Sequence, residues 1–346
     1  MIIYSRSSNQ PDHRQNPQSG FTVIEMVVSM AIFGIVMGSI FGLLHVARGG
    51  RINTSQRAEV LQGVRVALNA IGRDAINAGV GYPNLGALIP DNKLSLIGVA
   101  PDSDTALEFL TPVYAGNNLN LVNGTPPALT DQVTFLYVDD VFNGGTSLPV
   151  SAISDPSGTL SILTVQAGFN NSSCNVGDLY LITGNNASAI GMLTSKTGTN
   201  TLNFAATDPL GINSPGAKSA IDTLVTPASL LKLVWATYYV LDEDGNGTGT
   251  GTLERRVFGG FNAGNNTLIN WVDQPLAFGV ENLQIQYVLA DGSVVDLPTS
   301  AQMADIRQIR VTVTVRSPDI DPKTNQPFRS SVTSSFSTRN LVYEKL

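Results

Sequence analysis

Histidine and cysteine are almost absent from this chain of 346 residues. The two histidines are His13 and His45, and the one cysteine is Cys174. The chain after position 45 therefore offers no Ser-His-Asp or Cys-His catalytic group and no histidine ligand for zinc. A lone cysteine forms no intrachain disulfide, and the segment NSSCNVGD indicates a small loop or strand residue rather than a nucleophile. Chemistry carried by carboxylates alone stays open, but we expect the protein not to be an enzyme.

Positive charge is also sparse. The chain has 20 Lys and Arg against 27 Asp and Glu, a formal net charge of -7, and no run rich in Lys or Arg. Binding to a phosphate backbone would lack its electrostatic driving force, so we expect no nucleic-acid partner. A hydrophobic content of 42% with 33 glycines and 18 prolines is typical of a loop-rich globular body with a core.

One long apolar run lies near the amino terminus, GFTVIEMVVSMAIFGIVMGSIF at residues 20–41. No Asp, Glu, Lys or Arg occurs between Met26 and Ala47, and a helix rising ~1.5 Å per residue over this length spans the ~30 Å hydrocarbon layer. A secretory signal peptide has its small residue after the apolar run, whereas here Gly20 precedes it. We predict a retained, single transmembrane helix over residues 21–47.

Three glycines recur at every fourth position of this run, Gly34, Gly38 and Gly42. This spacing places them on one helix face, where the missing side chains let a second helix approach closely. Glycine is also generally frequent in transmembrane helices, which is the alternative explanation. The pattern favours a helix-packing face.

A carboxylate, Glu25, lies almost at the start of the run. A charge at membrane depth is costly, so such a residue is expected to have a partner. One interpretation is that a positively charged group of an assembly partner pairs with the Glu25 carboxylate. The other is a capping box, T-x-x-E, in which Thr22 and Glu25 satisfy free N–H groups at the helix start. The sequence leaves both open.

The residues Gly20, Phe21, Thr22, Ile24 and Glu25, followed by the apolar run, resemble the processing motif of type IV prepilins and type II secretion pseudopilins. The resemblance implies that prepilin peptidase removes a leader over residues 1–20 and methylates the new terminus at Phe21. It also implies assembly with other minor and major pilins through the amino-terminal helix. In such an assembly the Glu25 carboxylate would pair with the α-ammonium group of Phe21 on a neighbouring subunit or on its own chain.

A second apolar pattern predicts that the helix continues over residues 48–80. Apolar residues recur there at spacings of three and four, which marks one face of an amphipathic helix. We expect an interruption near Gly49 and Gly50 and an end near Ala78. Arg65, Arg73 and Asp74 are predicted on a solvated face, with contacts to neighbouring subunits as the alternative. The members of the stripe are Val60, Leu61, Val64, Ala67, Leu68, Ile71 and Ala75.

The rest of the chain is predicted as strands joined by turns. Alternating apolar and polar residues, as in Ile309 to Arg316, indicate a sheet with one dry face. We therefore expect the α+β fold class, with a long amino-terminal helix packed on an antiparallel sheet at residues 231–346 and a β-rich inserted lobe at residues 81–230, and the resemblance to prepilins implies that this fold is pilin-like. The predicted strands are 105–114, 132–138, 159–165, 178–183, 232–241, 252–258, 281–289 and 306–317.

The segment GVRVALNAIGRDAINAGVGY and residues 228–346 resemble PilW-like minor pilins and, less closely, the J-type minor pseudopilin of type II secretion. The resemblance implies a single-pass inner-membrane protein with a periplasmic head that takes part in pilus initiation or tip formation. The J-type pseudopilin is the alternative, and a tip adhesin or calcium-dependent binding module is an alternative of another class. PilW-like chains often carry several cysteines, and this chain departs from that pattern.

One possible metal site lies in DEDGNGTGT at residues 242–250. Asp242, Asp244 and Asn246 match the first half of a calcium loop of the D-x-D-x-N-G type. The bidentate glutamate expected later in such a loop falls on Leu253. A polar hairpin turn explains the same residues more simply. No other cofactor is expected.

Overall fold

The computed structural model describes residues 20–123, 127–156, 158–213, 219–242, 249–321, 324–338 and 340–343. The chain divides into two compact units, residues 1–54 and residues 55–346. Helix α1 is assigned from Val23 to Asn77. The predicted interruption is wrong, because α1 continues through Gly49 and Gly50. Each glycine costs about 1 kcal/mol of helix propensity, which lowers helix stability without breaking the hydrogen-bond ladder.

The second unit is dominated by β-strands. A short helix, α2 (Asn340–Tyr343), follows the last strand. The strands are β1 (Ala87–Ile89), β2 (Glu108–Leu110), β3 (Val113–Val122), β4 (Ala128–Val138), β5 (Leu148–Ser154), β6 (Leu160–Val165), β7 (Leu179–Thr183), β8 (Ser188–Met192), β9 (Ser195–Thr197), β10 (Thr201–Ala205), β11 (Ala228–Leu241), β12 (Gly251–Phe258), β13 (Phe261–Asn262), β14 (Thr267–Leu268), β15 (Trp271–Leu289), β16 (Val294–Val295), β17 (Ile306–Asp321) and β18 (Gln326–Ser337).

The main sheet is organised around its long strands. Its principal order is β18-β17-β15-β12-β11-β5-β6-β10-β9, and β4 and β7 also pair with β11. The pairing is antiparallel except for one parallel contact between β1 and β8 at Leu88 and Ala189. The predicted fold class, α+β with a long amino-terminal helix and an antiparallel sheet, is confirmed.

The carboxy-terminal part of α1 is amphipathic and supplies one side of a core. Val64, Ala67, Ile71 and Ala75 are completely buried, as the apolar stripe predicts. They belong to a cluster with the alternating residues of β15 and β17, whose side chains point to one face of the sheet. Burial of this surface is the main stabilisation that holds the helix on the sheet. The helix ends before Gly79, whose φ of 84° suits a residue without a side chain.

The middle of the chain does not form a wholly separate body. β3 and β4 come from the stretch predicted as an inserted lobe, yet their residues Val113 and Phe135 lie in the core beneath α1. β4 also pairs with β11 over Val133 to Val138. Strands β5 to β8 and β10 contribute instead to a second cluster that contains Phe204 and Leu230. The boundary near residue 230 stays a prediction, but β11 crosses it and pairs with strands of the middle stretch.

Candidate processing and assembly site

The start of α1 is closed by the side chains of Thr22 and Glu25. The Thr22 backbone N–H donates to Glu25 Oε2 at 2.9 Å, and Thr22 Oγ1 donates to the same oxygen at 2.8 Å. In return, the Glu25 backbone N–H donates to Thr22 Oγ1 at 3.3 Å. This reciprocal arrangement is the capping box anticipated from T-x-x-E. Since both donors of Thr22 reach Oε2, the geometry gives Glu25 a local partner within one chain.

The predicted processing point lies just before this cap. Gly20 and Phe21 precede the first helical residue, Val23, and the Phe21 side chain is 81% exposed. The next residues form an apolar helical segment from Val23 to His45, with a mean hydropathy of 2.3 and none of it buried. Its length and composition are sufficient to cross a bilayer, and such a segment fits membrane anchoring.

The glycine face of this segment is sterically open. Apart from the glycine itself, its two chain neighbours and the adjacent helix backbone, no described heavy atom lies within 4 Å of the position that a Cβ would take at Gly34, Gly38 or Gly42. The spacing of four residues places the three positions on one side of the helix. The groove predicted from the sequence is therefore geometrically available, and its partner stays a prediction.

A buried charged cluster centres on Asp74. It lies under residues 55–77 of α1, which we call the head part of the helix. The Asp74 side chain is 0% exposed. Its Oδ2 accepts a hydrogen bond from Arg255 Nε at 2.8 Å and another from Tyr238 Oη at 2.8 Å. Its Oδ1 accepts from Tyr137 Oη at 3.1 Å. The cluster joins α1 to β4, β11 and β12, so it fixes the position of the helix on the sheet.

The position of Asp74 corrects the sequence prediction. Arg65 and Arg73 are exposed as expected, but Asp74 faces the core because it lies three residues beyond the buried Ile71. Burial and the neighbouring Asp74 carboxylate raise the pKa of Tyr137 to about 12. The missed signal was the recurrence at Asp74 of the spacing that defines the apolar stripe, together with Arg255 in the middle of a predicted strand.

The predicted calcium residues are only partly within the described structure. Asp242 is described, and its Oδ2 accepts a hydrogen bond from the Asn123 backbone N–H at 2.8 Å. Asp244 and Asn246 lie outside the described residues. The calcium assignment stays a prediction, while the contact to Asn123 links Asp242 to the residue that follows β3.

Another acidic group lies between β1 and β2 and was not anticipated. Single carboxylate oxygens of Asp91, Asp102 and Asp104 lie within 4.8 Å of one another. Local hydrogen bonds explain part of this proximity, because Asp102 Oδ1 accepts from the Asp104 backbone N–H at 3.0 Å. Asp104 Oδ1 in turn accepts from the Ala106 backbone N–H at 2.8 Å. These are the turn-forming contacts that aspartate favours in loops.

Cys174 is a buried side chain in the middle of the chain. It is completely buried in the cluster that also contains Tyr180 and Phe204. Burial raises the pKa of its thiol to about 11, so the thiolate form that a nucleophile requires is disfavoured near neutral pH. The position fits the loop or strand residue predicted from the sequence.

Comparison with known proteins gives one match. A family model described as the prokaryotic N-terminal methylation motif matches residues 15–41, which is the type IV prepilin-like signal. No curated protein and no solved structure matches the chain. The motif implies processing by prepilin peptidase and assembly with pilins, so the chain has the features of a type IV pilin or pseudopilin-like precursor. The match ends at residue 41 and therefore does not describe the head.

Proposed function

We propose that this protein is a minor type IV pilin that starts or caps a pilus fibre. Prepilin peptidase cuts after Gly20 and methylates Phe21, and the helix from Val23 to His45 holds the mature chain in the inner membrane with its head in the periplasm. The observation that carries the proposal is the methylation motif joined directly to an apolar helix with no buried side chains. Such a helix needs lipid or neighbouring helices around it.

The size of the head favours a minor subunit over the repeating one. The second unit begins at Ser55 and takes up most of the chain. A head of this size is difficult to repeat along a thin fibre, whereas the tip is less crowded. The tip also leaves the middle strands free of neighbouring heads.

Glu25 is proposed to change partner during assembly. In the single chain its Oε2 is held by Thr22, one residue from the amine that cleavage creates on Phe21. When helices pack in parallel with an axial offset, the carboxylate of one chain pairs with the amine of its neighbour. The two charges then neutralise each other where water is scarce, and the pair fixes the axial register.

Substitutions at Glu25 and Thr22 separate the assembly role from the capping role. Glu25→Ala is expected to be cleaved and methylated normally but to enter fibres at least about tenfold less often, because the amine of its neighbour loses its partner. Thr22→Val removes the two hydrogen bonds of the Thr22 hydroxyl and keeps the carboxylate, so it serves as the matched control and should still assemble. Quantitative immunoblots of sheared fibres and of membranes measure this ratio. Normal incorporation of Glu25→Ala would refute the assembly role.

A type II secretion pseudopilin is the second candidate, because the same motif begins those chains. Deleting the gene and measuring piliation and protein secretion in parallel separates the two. Loss of pili with intact secretion is expected for a minor pilin. The reverse result would assign the protein to secretion.

A further inference from the structure

The last strand, β18, is a long and unprotected edge of the main sheet. It has 12 residues and, within the described part of the chain, it pairs only with β17. Natural edges are usually short, charged, kinked or interrupted by proline, which discourages further pairing. β18 has Arg329 as its single charge, Pro327 only near its start, and an unbroken register with β17 from Arg329 to Ser337. This edge therefore lacks the usual protection against a further strand.

The direction of the free backbone groups follows from the pairing with β17. The Thr338 N–H donates to Arg307 O at 3.0 Å, directly after the last register pair, Gln308 and Ser337. In an antiparallel ladder the bonded and unbonded pairs alternate. The even-numbered residues of β18 therefore bond to β17. The odd-numbered residues from Arg329 to Ser337 direct their N–H and C=O groups away from the sheet.

The head part of α1 runs beside this edge in the same direction as β18. Near the start of the strand, the Arg57 guanidinium carbon lies 4.7 Å from the centre of the Phe328 ring. Near its end, a Cβ added at Gly72 would lie 2.5 Å from Phe336 Cε1. The helical repeat places Arg65, between these two positions, on the same side of the helix. The even-numbered side chains of β18 lie partly buried on this α1 side, and the odd-numbered ones from Arg329 to Ser337 are exposed on the other.

The side of the helix that faces the edge is positively charged. Arg57 and Arg65 are both exposed there, and Arg65 forms no ion pair with a described residue. The head part has two carboxylates, and both lie elsewhere. Glu59 lines a cavity on the opposite flank of the helix, and Asp74 is buried beneath it. The strip between α1 and β18 is therefore suited to a partner with negative charge.

A second copy of this chain does not fit the edge. Antiparallel pairing of two β18 strands reverses the head part of α1 between the copies. Both helices continue toward their membrane segments, Val23–His45, so such copies cannot share one membrane. Pairing β18 head-to-tail with the opposite end of the principal order offers only the three residues of β9.

Parallel pairing of two β18 strands fails for a different reason. It turns one sheet over, because its two-fold axis runs along the strands. Arg329 and Ser331 of one copy would then lie beside Phe328 and Val332 of the other on the α1 side. This places polar residues against apolar ones, and it brings Arg329 toward Arg57, which carries the same charge. The edge is better matched by a strand of a different polypeptide.

We propose that β18 binds an extended acidic segment of another polypeptide, which adds to the sheet as a further antiparallel strand. The odd-numbered residues of β18 supply the backbone hydrogen bonds, as is general in strand addition. Apolar side chains of the segment lie opposite Phe328, Val332 and Phe336 on the α1 side. Carboxylates at the positions between them face Arg57 and Arg65, which gives the site its selectivity.

A synthetic peptide tests the site on the full-length protein in detergent. The probe is the capped nine-residue peptide V-T-E-T-V-T-E-T-V, which reads the same in both directions and carries its valines and glutamates on one face of a strand. The matched control peptide has lysine in place of both glutamates. Fluorescence anisotropy of the labelled peptides measures their binding. The glutamate peptide should bind at least about tenfold more tightly than the lysine peptide.

Substitutions in the protein test the two elements of the site. Thr333→Pro removes an outward N–H and no bond to β17, so it should abolish peptide binding in a folded chain. Thr333→Val is the matched control, because it loses the same hydroxyl contact with Thr312 and keeps the N–H. Arg65→Gln should weaken binding about threefold. Gln62→Glu makes the same change in net charge beside the cavity on the opposite flank and should leave binding unchanged.

Each result supports or overturns a stated element. Undiminished binding to a folded Thr333→Pro variant would overturn the backbone pairing, and equal binding of the two peptides would overturn the acidic partner. No binding of the glutamate peptide at about 1 mM would overturn the proposal as a whole. Circular dichroism identifies folded variants, and Ser331→Pro replaces Thr333→Pro if the latter does not fold.

The same preparations distinguish a second copy from a different polypeptide. A dimer of the unmodified protein in detergent that Thr333→Pro abolishes would assign the edge to a second copy and overturn the proposal. A protein that stays monomeric and binds the glutamate peptide supports it. None of these outcomes bears on processing at Gly20, so this inference and the proposed function are tested separately.

Discussion

The two parts of α1, Val23–His45 and residues 55–77, have opposite surroundings. From Val23 to His45 no side chain is buried, whereas Val64, Ala67, Ile71 and Ala75 are completely buried against the sheet. These apolar side chains of the head part are buried against the sheet of the same chain. The apolar side chains of the first part are not, and water is a poor environment for so long an apolar surface. The difference fits membrane anchoring of the first part.

The largest effect is expected from Asp74, which belongs only to the head part. Asp74→Ala leaves the Arg255 guanidinium buried without its carboxylate, and breaking such a pair costs about 3–5 kcal/mol. Chemical denaturation of the detergent-solubilised protein, followed by tyrosine and tryptophan fluorescence, measures the loss. Arg73→Ala is the comparison, because it removes only the exposed partner of the same carboxylate: Arg73 Nε lies 3.3 Å from Asp74 Oδ1, its side chain is 66% exposed, and its loss should cost less than about 1 kcal/mol. If Asp74→Ala lowered the free energy of unfolding by no more than Arg73→Ala does, the cluster would not be what holds the helix on the sheet.

A smaller loss is expected at Gly72, where the helix approaches β18. A Cβ at this position would lie 2.5 Å from Phe336 Cε1, so Gly72→Ala overpacks the contact and costs about 1–3 kcal/mol. Chemical denaturation followed by tyrosine and tryptophan fluorescence measures this loss of unfolding free energy. Replacing Phe336 by leucine in the same chain should recover part of the loss. Unchanged stability of Gly72→Ala would mean that Phe336 moves aside freely.

The environment of Tyr137 predicts that the free energy of unfolding of the head depends on pH. Its pKa rises from 10.0 to about 12, so folding favours the neutral phenol. The contribution of Tyr137 to the free energy of unfolding is fully present below pH about 10. It decreases as the pH rises toward about 12. Tyr137→Phe should flatten this decrease, as measured by denaturation midpoints at a series of pH values. An identical pH profile for the variant would contradict the assigned environment.

The smallest effect on the head is expected from Gly38, in the first part of α1. Gly38→Leu adds a side chain where nothing lies within 4 Å, so the unfolding of the head should not change. Its incorporation into fibres should decrease, because the added side chain keeps neighbouring helices apart. Ile40→Leu, on another face of the same helix, is the control. Normal incorporation of Gly38→Leu would remove the packing role of the glycine face.

The sequence predicted long strands with clear alternation, such as β17, and missed others, such as β18 and the first half of β15. Ile309, Val311, Val313 and Val315 are all completely buried, as the period of two indicated. β18 was missed because serines occupy both of its faces, and only its pairing with β17 makes it a strand. The first half of β15 was missed because WVDQPLAF contains a proline and lacks alternation. In both cases long-range pairing decides the structure, which local pattern does not encode.

The amino-terminal site could be predicted more fully than the head cluster. Thr22 and Glu25 lie three residues apart, so the sequence alone offered their mutual hydrogen bonds as one of two interpretations. Asp74 and Arg255 are separated by most of the chain, and the fold brings them together. Local sites are therefore accessible to sequence reasoning, whereas buried ion pairs between distant elements require the structure.

The central claim is that the apolar part of α1 is the processed anchor of a pilin-like subunit. Mass spectrometry of the protein extracted from membranes of the native cell tests it most directly. The account predicts an amino-terminal peptide that begins with N-methylated Phe21. A peptide that still contains residues preceding Gly20, or a chain recovered entirely outside the membrane fraction, would contradict it.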